Sequence, residues 1–408
     1  MRYSAPVSAA RPFVPPSFPP AELTLTSLEG VRASGVRAGI KASGNPDVGL
    51  LVFDEPAALA AVFTQNLFAA APVLVSREHL QKNGGRVRAI VVNAGNANAC
   101  TGERGLADAR AMCERTAKAI GCAVEEVLVC STGVIGVHLP IEKVLAGIDR
   151  AATELSRELE AGRAFLSAIQ TTDAFPKEAS TREGGGHVAG VCKGAGMIHP
   201  DMATMLAFVG TDLAVPLDEL RAAMPKIAAS SFNAVHVDTH PSTNDTFFLF
   251  ATGKRKTEGD FRPAVTKVCR RLAWLIARDG EGATKVTTIE IRGASSDAAA
   301  RAIADKVASS ALVRTALFGN DPNWGRFVSQ VGNCREVKSV EGLRCTLQGT
   351  TVFENGGPAP HDRGAVSRAM ASEDVHLLLQ LKEGEGRAVV MTSDLGYRYV
   401  EVNAEYTT

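Results

Sequence analysis

KGAGMIHPDMATMLAF, from Lys193 to Phe208, is the stretch around which the rest of the chain is organised. Gly194, Ala195 and Gly196 make a flexible approach that passes Pro200 and reaches Thr204, where an apolar run of strand formers begins with Met205, Leu206, Ala207, Phe208 and Val209. A hydroxyl therefore stands where loop becomes strand. With the small Ala203 before it and glycines that let the backbone bend, Thr204 is a candidate for attack on its own preceding peptide bond. On local pattern alone, a threonine that merely opens a strand is the simpler reading, because short motifs overcall.

Outward from this stretch, strand and helix patterns alternate. Val127, Leu128 and Val129 form a buried-type strand, and Val87–Asn93 (VRAIVVN) forms another, while Phe63–Val73 (FTQNLFAAAPV) is expected to lead into a strand. Leu106, Ala109, Cys113, Ala117 and Ile120 recur at helical spacing up to Gly121. Pro140 opens a second helix that runs through Leu155, with Gly162 past its end, and AFLSAIQ forms a short one. Further helices are expected after Pro216, from Pro263 to Arg278, and as one long element from Asp297 to Leu317. Between the last two, Thr287, Ile289 and Ile291 alternate with Thr288, Glu290 and Arg292 in a period-2 strand. The pattern implies an α/β (α+β) layered architecture. No GxGxxG stands between a strand and a helix, and in KGAGM the lysine precedes the glycines, so neither nucleotide-binding loop is present.

Lys plus Arg (44) balances Asp plus Glu (44) in the 408 residues, so no overall field favours nucleic acid or an anionic membrane. No run approaches the roughly 18 apolar residues that span a bilayer, and a cytoplasmic protein is expected. Eight cysteines without a C-x-x-C pair, in a chain too large to need staples, imply reduced and mostly buried thiols. Residues 1–30 read as a leader: MRYSAPVSAARPFVPPSFPP carries two arginines, but its prolines spoil the amphipathic helix of a transit peptide, so a mobile or surface-draped segment is expected.

Polar residues gather in several loops. Asn93, Asn96 and Asn98 crowd AGNANACTG, where turn chemistry accounts for them. CSTGVIG sets Thr132 and Gly133 after a strand, a place from which a hydroxyl and a backbone N–H can aim at one point. TTDAFPK bunches the oxygens of Thr171, Thr172 and Asp173 where Pro176 stops a helix. His236, Asp238 and His240 alternate and would share one face of a strand, but three ligands without a partner elsewhere do not make a metal site. Glu281 stands between Gly280 and Gly282, free either to meet a cationic amine or to face solvent. Arg326, in GNDPNWGR, is assigned no catalytic role.

Taken whole, KGAGMIHPDMATMLAF resembles the self-cleavage segment of the ornithine acetyltransferases, the glutamate N-acetyltransferases of the ArgJ family. FTQNLFAAAPV, AGNANACTG, STGVIG, STNDT, GNDPNWGR and the C-terminal segment also resemble that family, so the likeness runs from about residue 35 to Thr408. It implies paired sheets sandwiched by helices with a smaller C-terminal α/β domain. It also implies a cut between Ala203 and Thr204, giving an α chain of residues 31–203 behind the leader and a β chain of 204–408 that begins with the nucleophile. Thr132 and Gly133 would be the oxyanion donors, and Thr171, Lys193, Thr204, Glu281, Asn403 and Thr408 would bind substrate. Two departures stand out: Ala174 replaces the usual threonine after Asp173, and the His-Pro pair before STNDT is unusual. The implied substrates are N-acetylornithine and glutamate, with acetyl-CoA open as a co-substrate, no metal or other cofactor, and an α2β2 heterotetramer of the cleaved chains. A free α-amine has a reference pKa of about 7.7–8.0, so the new terminus of Thr204 can serve as base for its own hydroxyl. Two alternatives remain at this level: an N-terminal-nucleophile hydrolase, in which water resolves the acyl-enzyme, and an amino-acid-binding protein that never cleaves.

Overall fold

A computed structural model describes residues 20–183, 185–198, 205–257 and 259–405. Its first sheet has eight strands: β1 (Val31–Val36), β2 (Val48–Phe63), β3 (Arg86–Asn96), β4 (Val127–Val134), β5 (Lys177–Thr181), β6 (Val188–Lys193), β7 (Leu206–Leu213) and, after a short β8 (Val235–His236) that joins the second sheet, β9 (Thr246–Arg255). The order is β4-β3-β2-β9-β7-β6-β5, with β1 on β2. Strand β2 joins the two halves: Val48–Val52 pair with β1 and β3, Ala58–Phe63 pair with β9, and the register shifts between Val52 and Ala57.

The strands are almost wholly apolar because both faces are covered. In β9, Phe247 and Leu249 enter one core while Phe248 and Phe250 enter another; β7 divides Ala207 and Val209 from Leu206 and Phe208 in the same way. Helices α1 (Ala71–Lys82), α2 (Gly102–Ile120) and α3 (Ile141–Thr153) cover one flank, α4 (Leu159–Ile169) fills the inner core, and α5 (Leu217–Ala229) and α6 (Arg262–Arg278) cover the other flank.

The second sheet adds β10 (Val286–Ala294), β11 (Arg344–Leu347), β12 (Thr350–Glu354), β13 (Gly357–Pro358), β14 (Asp374–Gln380) and β15 (Gly386–Ser393), in the order β13-β12-β11-β14-β10-β15-β8. Helices α7 (Asp297–Ala308), α8 (Ala311–Phe318), α9 (Trp324–Gly332) and α10 (Arg363–Ala369) share its core, and α11 (Tyr397–Glu405) follows. The architecture is thus α/β, with two sheets flanked by helices and a smaller C-terminal layer. Among the described residues no helix is long and apolar enough to cross a membrane. All eight cysteines are free, and six are buried.

Three local expectations are corrected. After Phe63 the chain forms α1 rather than a strand: Pro72 occupies the first turn, where its missing N–H costs nothing, and Val73, Val75, Ser76 and His79 make the buried face. Asp297–Leu317 is two helices, because Ser310 caps the second by accepting the Val313 N–H. Gly162 lies past α3, as expected, but inside α4 rather than in a connecting turn; a Cβ there would come within 2.5 Å of Thr24 Oγ1, so the glycine is required by close packing.

Candidate active site

A cavity of ≈ 300 Å³ opens at the ends of β4 and β6, between the loops around residues 171, 196, 240 and 281 and helix α11. Thr132, Gly133, Thr171, Lys193, Glu281 and Asn403, spread over most of the chain, all line it. Ala203, Thr204 and Thr408 lie outside the described residues, so the expected cleavage junction and terminal contact are not seen.

Lys193 is the last residue of β6 and is 3% exposed. Its Nζ donates to Thr132 Oγ1 at 3.0 Å. Because the ammonium takes a lone pair, the Thr132 hydroxyl proton remains for another acceptor in the cavity. Burial lowers the Lys193 pKa, while Asp173 and Asp245 act against it. The end of β4 that carries Thr132 is fixed from below: Asn244 Nδ2 donates to Ala97 O at 2.7 Å and Ser131 O at 2.8 Å, and Ser131 Oγ donates to Asn93 Oδ1 at 2.6 Å. Gly133 has φ +133, and a Cβ there would overlap Gly95 C at 2.3 Å, so only glycine lets β4 end against β3 in this way. Thr132 and Gly133 are still within β4, at its end, rather than in a loop beyond it. The amides of AGNANACTG serve the backbone: Asn93 Nδ2 donates to Asn96 O, and Asn98 Nδ2 to Gly105 O.

Thr171 is positioned through Asp173, whose Oδ2 accepts the Thr171 N–H at 2.8 Å. Asp173 Oδ1 accepts the Gly194 N–H at 2.8 Å and Lys177 Nζ at 2.5 Å, and Lys177 also bonds Asp279 at the end of α6. This buried lysine between two carboxylates ties β5, the Thr171 loop, α6 and the glycine approach together. Burial opposes ionisation of Asp173, but Lys177 and Lys193 hold it well below the usual carboxylate range. Burial instead pushes Asp279 up to about 6, since one lysine cannot neutralise both acids.

Glu281 sits between glycines that the packing requires. Its N–H donates to Ala195 O at 3.2 Å, and a Cβ on Gly196 would stand 2.6 Å from its carboxylate. A Cβ on Gly282 would meet Arg398 Cβ at 2.6 Å, which shows how closely α11 lies over the loop. From α11, Asn403 Nδ2 donates to Glu281 Oε2 at 2.8 Å. Burial pushes the Glu281 carboxyl above its ordinary value, against the Asn403 bond and with help from Asp238. A partly desolvated carboxylate at a cavity wall is suited to receive an ammonium.

His236, Asp238 and His240 do not share a strand face. Strand β8 ends at His236, which is buried and paired with Asp305 at 2.8 Å, while Asp238 takes backbone N–H groups and His240 is exposed. Among the described residues no group of three His, Cys, Asp or Glu can hold a metal ion. Arg326 donates to Leu312 O and Thr315 Oγ1, a helix-to-helix tie. Residues not singled out as site residues from the sequence are Thr172, Ser242, Thr243, Asn244 and Tyr399, which line the cavity with Asp238. The signal for three of them was the STNDT string.

The ArgJ family model matches residues 32–408. The chain belongs to the ArgJ family. Among its relatives, the arginine biosynthesis bifunctional protein ArgJ of Thermus thermophilus is 46% identical over 93% of this chain and 98% of its own. That of Rhodopirellula baltica is 43% identical over 93% of this chain and 96% of its own. A crystal structure of ornithine acetyltransferase complexed with ornithine, from Mycobacterium tuberculosis, is 40% identical, covers 45% of this chain and 96% of its own, and has a TM-score of 0.42. In this ArgJ-family chain the alanine at 174 lends its N–H to the Asp279 carboxylate.

Proposed function

We propose that the chain is a glutamate N-acetyltransferase of arginine biosynthesis, which moves acetyl from N-acetylornithine to glutamate through acetyl-Thr204. One observation carries the reading: six candidates from five separate stretches converge on one cavity that pairs a lysine-bound threonine hydroxyl with a raised carboxyl. The protein first cuts itself. Thr204 Oγ attacks the carbonyl carbon of Ala203, the C–N bond breaks, and the hydroxyl proton ends on the departing nitrogen. Water then hydrolyses the ester, leaving residues 1–203 with a carboxylate and 204–408 with a free terminal amine.

That amine, with a reference pKa of about 7.7–8.0, takes the Thr204 hydroxyl proton as Oγ attacks the acetyl carbon of N-acetylornithine. The amide C–N bond breaks, and ornithine leaves with a proton on its nitrogen. The amine of glutamate then attacks the acetyl ester and regenerates the hydroxyl. Thr132 and Gly133 donate to the oxyanion in each step; Glu281 meets the substrate ammonium, and Thr171, Lys193, Asn403 and Thr408 complete the amino-acid site. Acetyl-CoA as a second acetyl donor, an α2β2 assembly of the cleaved chains and a cytoplasmic location belong to the same proposal.

The test is steady-state kinetics with intact and peptide mass measurement. Purified protein is expected as two chains meeting between Ala203 and Thr204, Thr204→Ala as one, and initial rates at varied donor and acceptor as parallel double-reciprocal lines. An active preparation of a single full-length species, or intersecting lines with no acetylated Thr204 peptide after quenching, would overturn the mechanism. Acyl release to water regardless of glutamate would favour the hydrolase.

A further inference from the structure

Two carboxylates of one loop grip the chain on either side of residues 199–204. Upstream, Asp238 Oδ2 accepts the Met197 N–H at 2.5 Å and Oδ1 accepts the Ile198 N–H at 2.7 Å. In return the N–H groups of Val237 and Asp238 both donate to Ile198 O, at 3.0 and 3.2 Å. Met197 has φ +60, left-handed backbone that a non-glycine residue adopts at a cost, and here two successive N–H groups converge on one anion. Downstream, Asp245 Oδ1 accepts the Met205 N–H at 3.0 Å, and the Thr246 N–H donates to Met205 O at 3.0 Å. The Met205 nitrogen is covalently part of the peptide group that carries the Thr204 carbonyl, so this bond holds the residue after the expected nucleophile.

The loop between the two acids is itself anchored. Ser242 O accepts from Thr64 Oγ1, Thr243 O from the Ala70 N–H and Asp245 O from the Thr64 N–H, while the Asn244 side chain reaches Ala97 and Ser131. Asp245 is fully buried. Burial pushes both carboxyls above the ordinary range, with the backbone donors acting against it. Desolvating two acids to bind main chain is costly, and apart from N–H groups of their own loop the main chain they bind flanks a single six-residue stretch.

We propose that Asp238 and Asp245 are positioning residues for self-cleavage, a splint that fixes the two flanks of the Ala203–Thr204 junction relative to each other. The inference rests on the self-cleavage reading above. Attack of a hydroxyl on its own preceding carbonyl needs a near-attack geometry that an unpinned six-residue stretch visits rarely, and fixing both ends raises that fraction. Neither acid gains or loses a bond in the step: Thr204 Oγ still forms the ester, the Ala203–Thr204 C–N bond still breaks, and the proton still goes to the nitrogen.

The experiment follows freshly synthesised full-length chain into fragments 1–203 and 204–408 by intact mass over time, with thermal melting in parallel. Asp238→Asn keeps the size but leaves one acceptor oxygen for the N–H groups of Met197, Ile198 and His240, which two oxygens share in the wild type. Asp245→Ala removes the Met205 acceptor, and Asp245→Asn restores one. Expected are cooperative melts for all, cleavage slowed about tenfold or more in Asp238→Asn and Asp245→Ala, and faster cleavage in Asp245→Asn than in Asp245→Ala. The last comparison is the rescue that a merely stabilising role would not produce at equal melting temperature. Folded variants that cut at the wild-type rate, or an Asp245→Asn no faster than Asp245→Ala, overturn the splint alone. A wild-type chain that stays whole overturns the self-cleavage reading and the splint with it.

Discussion

Replacing Glu281 by Gln removes one charge while preserving shape, and the surroundings allow its effect to be sized. The carboxylate lies close against Gly196, where a Cβ would come within 2.6 Å of it, and its Oε2 accepts from Asn403 Nδ2 at 2.8 Å, a bond that a glutamine oxygen can keep. Asp238, the other acid at the cavity, already accepts three backbone N–H groups, from Met197, Ile198 and His240, so it is committed elsewhere. What is lost is one charge-assisted bond to the substrate ammonium, about 1.5–3 kcal/mol. That corresponds to roughly a ten- to hundredfold fall in kcat/KM for N-acetylornithine. Chain cleavage, which involves no substrate amine, is expected to continue. The pH dependence adds a second signature. The Thr204 amine, as base, already makes kcat/KM fall on acidification. Since only ionised Glu281 binds the ammonium and burial raises its pKa, the wild type should show a second, steeper acid limb at higher pH than an ordinary carboxylate would give. Glu281→Gln should lack that acid limb. The assay is kcat/KM for N-acetylornithine across pH, alongside the extent of cleavage by mass. A mutant that cleaves normally and turns over N-acetylornithine at the wild-type rate with the wild-type pH profile would refute the electrostatic assignment.

Two further substitutions probe the scaffold. Asp173→Asn unbalances the buried Lys177 and weakens the bonds to the Thr171 and Gly194 N–H groups, so a loss of about 3–5 kcal/mol is expected in urea unfolding at unchanged slope; a loss below about 1 kcal/mol would mean that Asp279 alone satisfies the lysine. Gly133→Ala places a Cβ on the Gly95 backbone at an unfavourable φ, so kcat should fall about a hundredfold or more in protein that still folds, and near-normal turnover would remove Gly133 from the oxyanion site.

In the first sheet β3, β4 and β7 were legible, because a continuous apolar run such as Leu206–Val209 has few other uses, whereas β6 and β9, equally buried on both faces, were not singled out. Helices α2, α5 and α6 were legible from their spacing and their Pro or Gly boundaries. Where a short signal competes with a longer pattern, the reading failed. Ser310 starts a new helix inside what reads as one, and Pro72 opens a helix in a segment that reads as a lead into strand. Periodicity reports the faces of an element, and neither a cap nor a first-turn proline changes it much.

The family and the residue types of the site were determined by the sequence itself, because the motifs around Thr132, Thr171, Lys193, Thr204, Glu281 and Asn403 are contiguous strings. Their convergence was decided by the tertiary structure, which brings α11 over the Glu281 loop and lays Lys193 beside Thr132. Asp238 shows the difference most sharply. In sequence its alternation with two histidines suggests a strand face with metal ligands, yet β8 stops at His236 and the carboxylate turns to the Met197 and Ile198 N–H groups. A residue's alternation with its neighbours is a property of one strand. Which main chain a carboxylate can reach depends on where a segment some forty residues away passes through space, and that is set by the packing of the sheets, not by the local sequence.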